Sequence, residues 1–87
     1  MIAPATVVIM EPLSVDLRSR VPSYVQLADA LRERITAGQI ATGDLLPSIT
    51  RIQQETGLSP NTIRRGIRLL IDEGLAVVAP GRGTYAV

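Results

Sequence analysis

Asn61, Arg64, Arg65 and Arg68 fall within eight positions, and no acidic residue interrupts them before Asp72. The guanidinium fork of arginine matches the two oxygens of a phosphate or the O6/N7 edge of guanine, and an asparagine amide pairs with the edge of adenine. A cluster of these groups suits the surface of a polyanion. With successive residues placed about 100° apart on a helix and Ile63 at zero, Ile67 falls near about 40°, Leu70 near about 340° and Ile71 near about 80°. Arg64, Arg68, Asn61 and Arg65 fall near about 100°, 140°, 160° and 200°. The apolar stripe thus points one way, Arg65 and Arg68 point the other, and Arg64 sits on the flank. Surface charge is ordinarily just a solvated face, but such a face normally mixes acids with its bases. Asn61 has a structural reading too, since asparagine is common near helix starts.

The rest of the composition narrows the chemistry. The 87 residues contain no His, no Cys and no Lys; all nine basic residues are Arg. Thiol nucleophiles, imidazole bases, disulfides and Cys/His zinc sites are excluded together. No catalytic role, cofactor or metal is expected. A GC-rich coding bias accounts for arginine in place of lysine, but not for its clustering. Residues 51–87 hold five Arg against three acids, while the whole chain is only +1. At 46% hydrophobic and 20% charged residues, the chain is a globular domain rather than a disordered one. Its length allows one small core. The apolar run Ala5–Met10 is short and has no basic segment before it, so neither a signal peptide nor a membrane span is expected. A cytoplasmic location is the expectation.

The elements that must position the cluster are readable from periodicity and punctuation. Pro22 fits the first turn of a helix; Tyr24, Leu27, Ala28, Leu31 and Ile35 form its apolar stripe, and Gly38 stops it. Ile40–Asp44 is a turn, and Leu45-Leu46 a short extended pair. Ser48 caps a short helix from about Ile49 to Glu55, which ends at Thr56-Gly57. Ser59 caps a third helix, Pro60 takes its first position, and Gly74 lies just past its end. Leu75–Ala79 and Thr84–Val87 read as strands joined by Pro80-Gly-Arg-Gly83, which puts Arg82 at the tip of a hairpin. Tyr24 and Tyr85 read as core or edge aromatics, and Leu27, Leu31, Ile35, Ile63, Ile67 and Leu70 as core. Two helices joined by the turn Thr56–Ser59 form a helix-turn-helix, and the hairpin that follows is a wing.

The chain at this point resembles the DNA-binding domain of the GntR family of bacterial transcription regulators. The resemblance is carried, in order, by residues 22–35, Gly43–Ser48, Gly57–Ile67, Leu70, Glu73-Gly-Leu75 and Pro80–Tyr85. It implies a winged helix-turn-helix that binds a near-palindromic operator as a dimer. In such a domain the residues matching Thr62 and Arg64 contact phosphates and base edges, and the glycine matching Gly81 approaches the minor groove. Two departures stand out: Thr50 occupies a position where family members usually carry arginine, and Pro60 one where many do. Arg51 or Arg65 is the candidate to compensate. Family regulators also continue into an effector-binding, dimerising domain. This chain ends at Val87, so no effector domain is expected in it, and the arm at residues 1–20 is the candidate dimerisation element.

The expected fold is mainly α with a small β wing, a winged helix-turn-helix of three helices plus a C-terminal β-hairpin. It spans residues 21–87, after an N-terminal arm (1–20) that is a short strand or disordered. The expected function is sequence-specific binding of double-stranded DNA as a homodimeric repressor. The recognition helix (about 59–73) would enter the major groove and the wing (about 75–87) would reach the minor groove. The DNA-binding candidates are Ser48, Thr50, Arg51, Ser59, Asn61, Thr62, Arg64, Arg65, Arg68, Gly81 and Arg82. The alternative is a winged-helix interaction module that pairs with a full-length relative, without membrane contact in either case.

Overall fold

The stripe of Leu27, Ala28 and Leu31 becomes the buried face of α1 (Ser23–Thr36) in the computed structural model, which describes residues 11–87. The apolar run Ala5–Met10, read as an edge strand or loose arm, lies outside the described residues. Pro22 does not join the first turn of α1 but precedes it as the N-cap: its ψ of 143° is extended, and its carbonyl accepts from Val25 and Gln26 N–H. Proline fixes φ but leaves ψ free, so a helical φ alone does not carry it into the helix. At the other end Gly38 adopts a φ of +79°, a left-handed value that suits glycine at a helix stop.

Helix α2 (Ile49–Thr56) begins where the Ser48 hydroxyl accepts the Arg51 N–H at 3.1 Å, and ends at left-handed Gly57. Helix α3 (Pro60–Asp72) is capped the same way by Ser59, whose hydroxyl accepts the Thr62 N–H and lies 2.9 Å from the Thr62 hydroxyl. Strands β1 (Ala76–Ala79) and β2 (Gly83–Ala86) form an antiparallel hairpin with Val77 opposite Tyr85 and Val78 opposite Thr84. The extended pair before α2 joins this sheet. Leu45 bridges to Tyr85, Leu46 N–H donates to Thr84, and Asp44 and Gly43 exchange bonds with Ala86. Three helices followed by this hairpin make the winged helix-turn-helix that the sequence pattern predicts.

The core gathers Leu27 and Leu31 of α1, Ile52 of α2 and Ile63 and Leu70 of α3, all fully buried. Each such side chain contributes about 1.5–3 kcal/mol of hydrophobic stabilisation. Ile35, expected in the core, is half-buried at its edge. A bidentate pair from Arg32 to Glu73, with Asp29 on the same guanidinium, ties α1 to the residue that ends α3. These carboxylates raise the Arg32 pKa, the Glu73 hydrogen bonds most of all.

Within residues 11–20 of the arm, Leu13 enters this core and Val15 packs against it. Leu13 is 2% exposed, its N–H donates to Glu55 at 2.8 Å, and the Gln26 side chain bonds the backbone at Asp16 and Val21. Arg34 donates to the Glu11 carbonyl. The core therefore reaches upstream of residue 21, because a single leucine without periodic neighbours can fill a gap that no sequence pattern announces. No helix of the described residues is long and apolar enough to cross a membrane.

Candidate nucleic-acid interface

Helix α3 buries Ile63, Gly66, Ile67 and Leu70 and exposes Asn61, Arg64, Arg65 and Arg68. The division follows from the 3.6-residue repeat. Because the apolar residues recur at three- and four-residue spacing, burying them turns the arginines outward. Among the described residues, Arg64, Arg65 and Arg82 form no salt bridge; Arg68 meets Asp72 at 3.6 Å with both side chains mostly exposed. An exposed pair of this kind is worth at most about 1 kcal/mol and yields readily to a better anion.

The arginines of α3 leave the helix in two directions. Arg64 and Arg68 face the wing and, with Arg82, Ser48 and Thr50, line a cleft of about 510 Å³ between α3, the start of α2 and the hairpin. Apolar side chains including Leu46, Ile49 and Ile67 complete its lining. Arg64 Nη1 donates to Asn61 Oδ1 at 3.1 Å, so one side chain steadies the other on the exposed face. Arg65 leans the opposite way, toward α1, where its guanidinium carbon stands 4.2 Å from the centre of the Tyr24 ring.

The remaining candidates surround this face. Ser59 and Thr62 sit at the start of α3 with their hydroxyls joined, and the Ser59 cap is the structural role that the sequence predicts. Gly81 and Arg82 form the exposed hairpin tip, where Gly81 has a φ of +77°. Arg51 is exposed on α2 but engaged, with its Nε 3.0 Å from Glu55. The same carboxylate accepts the Leu13 N–H, and the two partners, Leu13 first, hold the Glu55 pKa below its ordinary value. The structure thus brings Ser48, Thr50, Arg64, Arg68 and Arg82 around one cleft. It sets Arg65 on the other flank of α3 and spends Arg51 on an internal carboxylate.

Two residues escape the sequence reading. Gly66 is buried where α3 crosses α1: a Cβ there would lie 2.9 Å from the Tyr24 carbonyl oxygen and 3.1 Å from a Leu27 methyl. Its signal was present, since glycine inside a helix costs up to about 1 kcal/mol relative to alanine and calls for a packing reason. Tyr24 reads from the sequence as a core or edge aromatic, and nothing in a linear pattern pairs it with Arg65.

Residues 23–86 match the family described as "Bacterial regulatory proteins, gntR family". The mannosyl-D-glycerate transport/metabolism system repressor MngR of Escherichia coli (strain K12) is 39% identical over 64 residues, which are 74% of this chain and 27% of that protein. The HTH-type transcriptional repressor YtrA of Bacillus subtilis (strain 168) is 33% identical over 73 residues, 84% of this chain and 56% of the relative. Among solved structures, YtrA from Sulfolobus acidocaldarius, a GntR-family transcription factor, is 37% identical with a TM-score of 0.75, covering 82% of this chain and 74% of that one. The AraR DNA-binding domain in complex with operator ORX1 is 25% identical with a TM-score of 0.81, covering 91% of this chain and 100% of the other. The chain spans about a quarter to just over half the length of these two curated relatives. With the family match running from the first turn of α1 to the last residue of β2, this chain belongs to the GntR family of bacterial regulatory proteins.

Proposed function

We propose that the chain is the DNA-binding unit of a transcriptional regulator that represses by occupying its operator. The family is one of regulators and not of enzymes. The observation that carries the reading is the outward set of Asn61, Arg64, Arg65 and Arg68 on the second helix of a helix-turn-helix. That set is nearly free of carboxylate partners among the described residues. The AraR domain, crystallised with its operator, shares the architecture.

In this reading α3 enters the major groove. Arg64, steadied by Asn61, reaches base edges, and Asn61 has the amide geometry for adenine. Ser48, Ser59 and Thr62 fix register on phosphates through hydroxyls and the N–H groups of two helix starts. Thr50 and Arg68 flank the same cleft, and Gly81 and Arg82 carry the wing toward the adjacent minor groove. Arg51 contributes only after leaving Glu55. A unit of net charge +1 binds weakly alone, so useful affinity calls for two copies on half-sites about one helical turn apart.

The test is selection of bound duplexes from a random DNA pool, followed by titration of the selected duplex with the wild type and Arg64→Ala. Enrichment of a palindromic site, with affinity lowered about 10- to 100-fold by the substitution, is expected from losing one bidentate base contact. Unchanged affinity removes α3 from the interface. Failure to enrich any site removes the function.

A further inference from the structure

Tyr24 and Arg65 form a unit that the groove-reading role of α3 does not need. Arg65 lies about 100° around the helix from Arg64, away from the wing cleft. Its guanidinium stacks over the Tyr24 ring at 4.2 Å. The approach depends on Gly66, because a side chain there would meet the Tyr24 carbonyl at 2.9 Å and hold α1 away.

The type of contact decides what Arg65 can do. An arginine paired with a carboxylate spends its in-plane N–H donors, as Arg51 spends one on Glu55. An arginine stacked on an aromatic face spends none, since stacking uses the flat face and the N–H groups project from the edge. No hydrogen bond or salt bridge from Arg65 occurs among the described residues, so its donors remain unspent on an exposed side chain that rests against the Tyr24 ring. A stacked, unspent guanidinium on the flank of a groove-binding helix suits a phosphate of the strand along the α1 side. Arg64 and Arg82 serve the wing side.

We propose that Arg65 is a sequence-independent phosphate contact and that Tyr24 is the positioning residue that holds it ready. The proposal rests on the DNA-binding reading above and deepens it: one flank of α3 supplies affinity and the other supplies readout.

The experiment measures binding of the selected duplex and of a scrambled duplex of equal length and composition, across a salt titration. The proteins are the wild type, Arg65→Ala, Tyr24→Leu, Tyr24→Phe and the double variant Tyr24→Leu/Arg65→Ala, each checked by thermal unfolding. Arg65→Ala is expected to weaken both duplexes by the same factor, about 5- to 10-fold, and to reduce the salt slope by about 1 per protomer. Tyr24→Leu is expected to weaken both about 2- to 5-fold, the fold-change corresponding to an exposed cation–π contact. It is expected to add nothing once Arg65 is gone, and Tyr24→Phe, which keeps the ring face, is expected to bind like the wild type. The positioning role is overturned if Tyr24→Leu costs as much with Arg65 absent as with it present, or if Tyr24→Phe fails as badly as Tyr24→Leu. The phosphate assignment is overturned if Arg65→Ala weakens only the selected duplex. A wild type that binds neither duplex overturns the DNA-binding reading itself, a result distinct from each of these.

Discussion

The backbone N–H of Leu13 donates to the carboxylate of Glu55 across 42 positions of sequence, at 2.8 Å. It seats the leucine side chain in the core, 2% exposed. Leu13→Ala removes a buried isobutyl group and leaves a void between the arm and the helices. The expected cost is about 2–4 kcal/mol of unfolding free energy, read from urea denaturation. A cost below about 0.5 kcal/mol would show that residues 11–20 are merely draped on the domain.

Glu55 itself makes acid stability titratable. Its folded-state pKa lies below the ordinary 4.5 because the Leu13 N–H, and then Arg51, favour the charged form. The unfolded chain therefore takes up this proton first as pH falls. The stabilisation is complete above the unfolded value and is lost as pH drops through the lower folded value. Glu55→Gln is expected to be less stable than the wild type at pH 7 and to show a shallower loss below about pH 4.5. Melting temperature measured against pH gives the comparison, and parallel curves would dissociate Glu55 from the acid limb.

The same substitution frees Arg51. With the carboxylate gone, α2 gains one available cation, and affinity for a scrambled duplex at low salt is expected to rise about 2- to 5-fold. An unchanged affinity would mean that Arg51 points away from the polyanion.

Gly66 sets how near α3 may come to α1. Gly66→Val places branched carbon against the Tyr24 carbonyl, which cannot swing aside as a long side chain would. The expected loss is about 2–3 kcal/mol by overpacking, visible as a fall in thermal midpoint of about 4–8 °C for each kcal/mol in a domain of this size.

Salt dependence tests the charge count. On α3 and the wing, four cations per protomer (Arg64, Arg65, Arg68 and Arg82) have, among the described residues, no carboxylate partner or one only weakly held. The log–log slope of affinity against salt is then roughly −4 for one protomer and −8 for two on a palindrome. A slope near zero would favour a protein partner over nucleic acid.

Local chemistry carried most of what the chain discloses in one dimension. Ser48 and Ser59 announce their helices because a hydroxyl one position before a helix has one favoured use, and Ile63, Ile67 and Leu70 announce a buried stripe by spacing alone. Exposure of Arg64, Arg65 and Arg68 follows from that stripe without further information. What stayed hidden depends on segments that meet only after folding. Leu13 finds Glu55, Leu45 finds Tyr85, Arg32 finds Glu73, and Arg65 finds Tyr24. Pro22 shows the limit of a positional preference: its ring constrains one dihedral, and the neighbouring chain direction settles the other.

The bonds from Ala86 N–H to the Asp44 carbonyl and from Leu46 N–H to the Thr84 carbonyl join the hairpin to the residues leading directly into the Ser48 cap. Both jaws of the cleft therefore hang from a common crossbar, with α3 as the fixed surface between them. Changes in the Ala41–Asp44 turn would tilt the two jaws in concert, carrying Arg82 with the hairpin and changing the width of the cleft while Arg64 and Arg68 stay in place on α3.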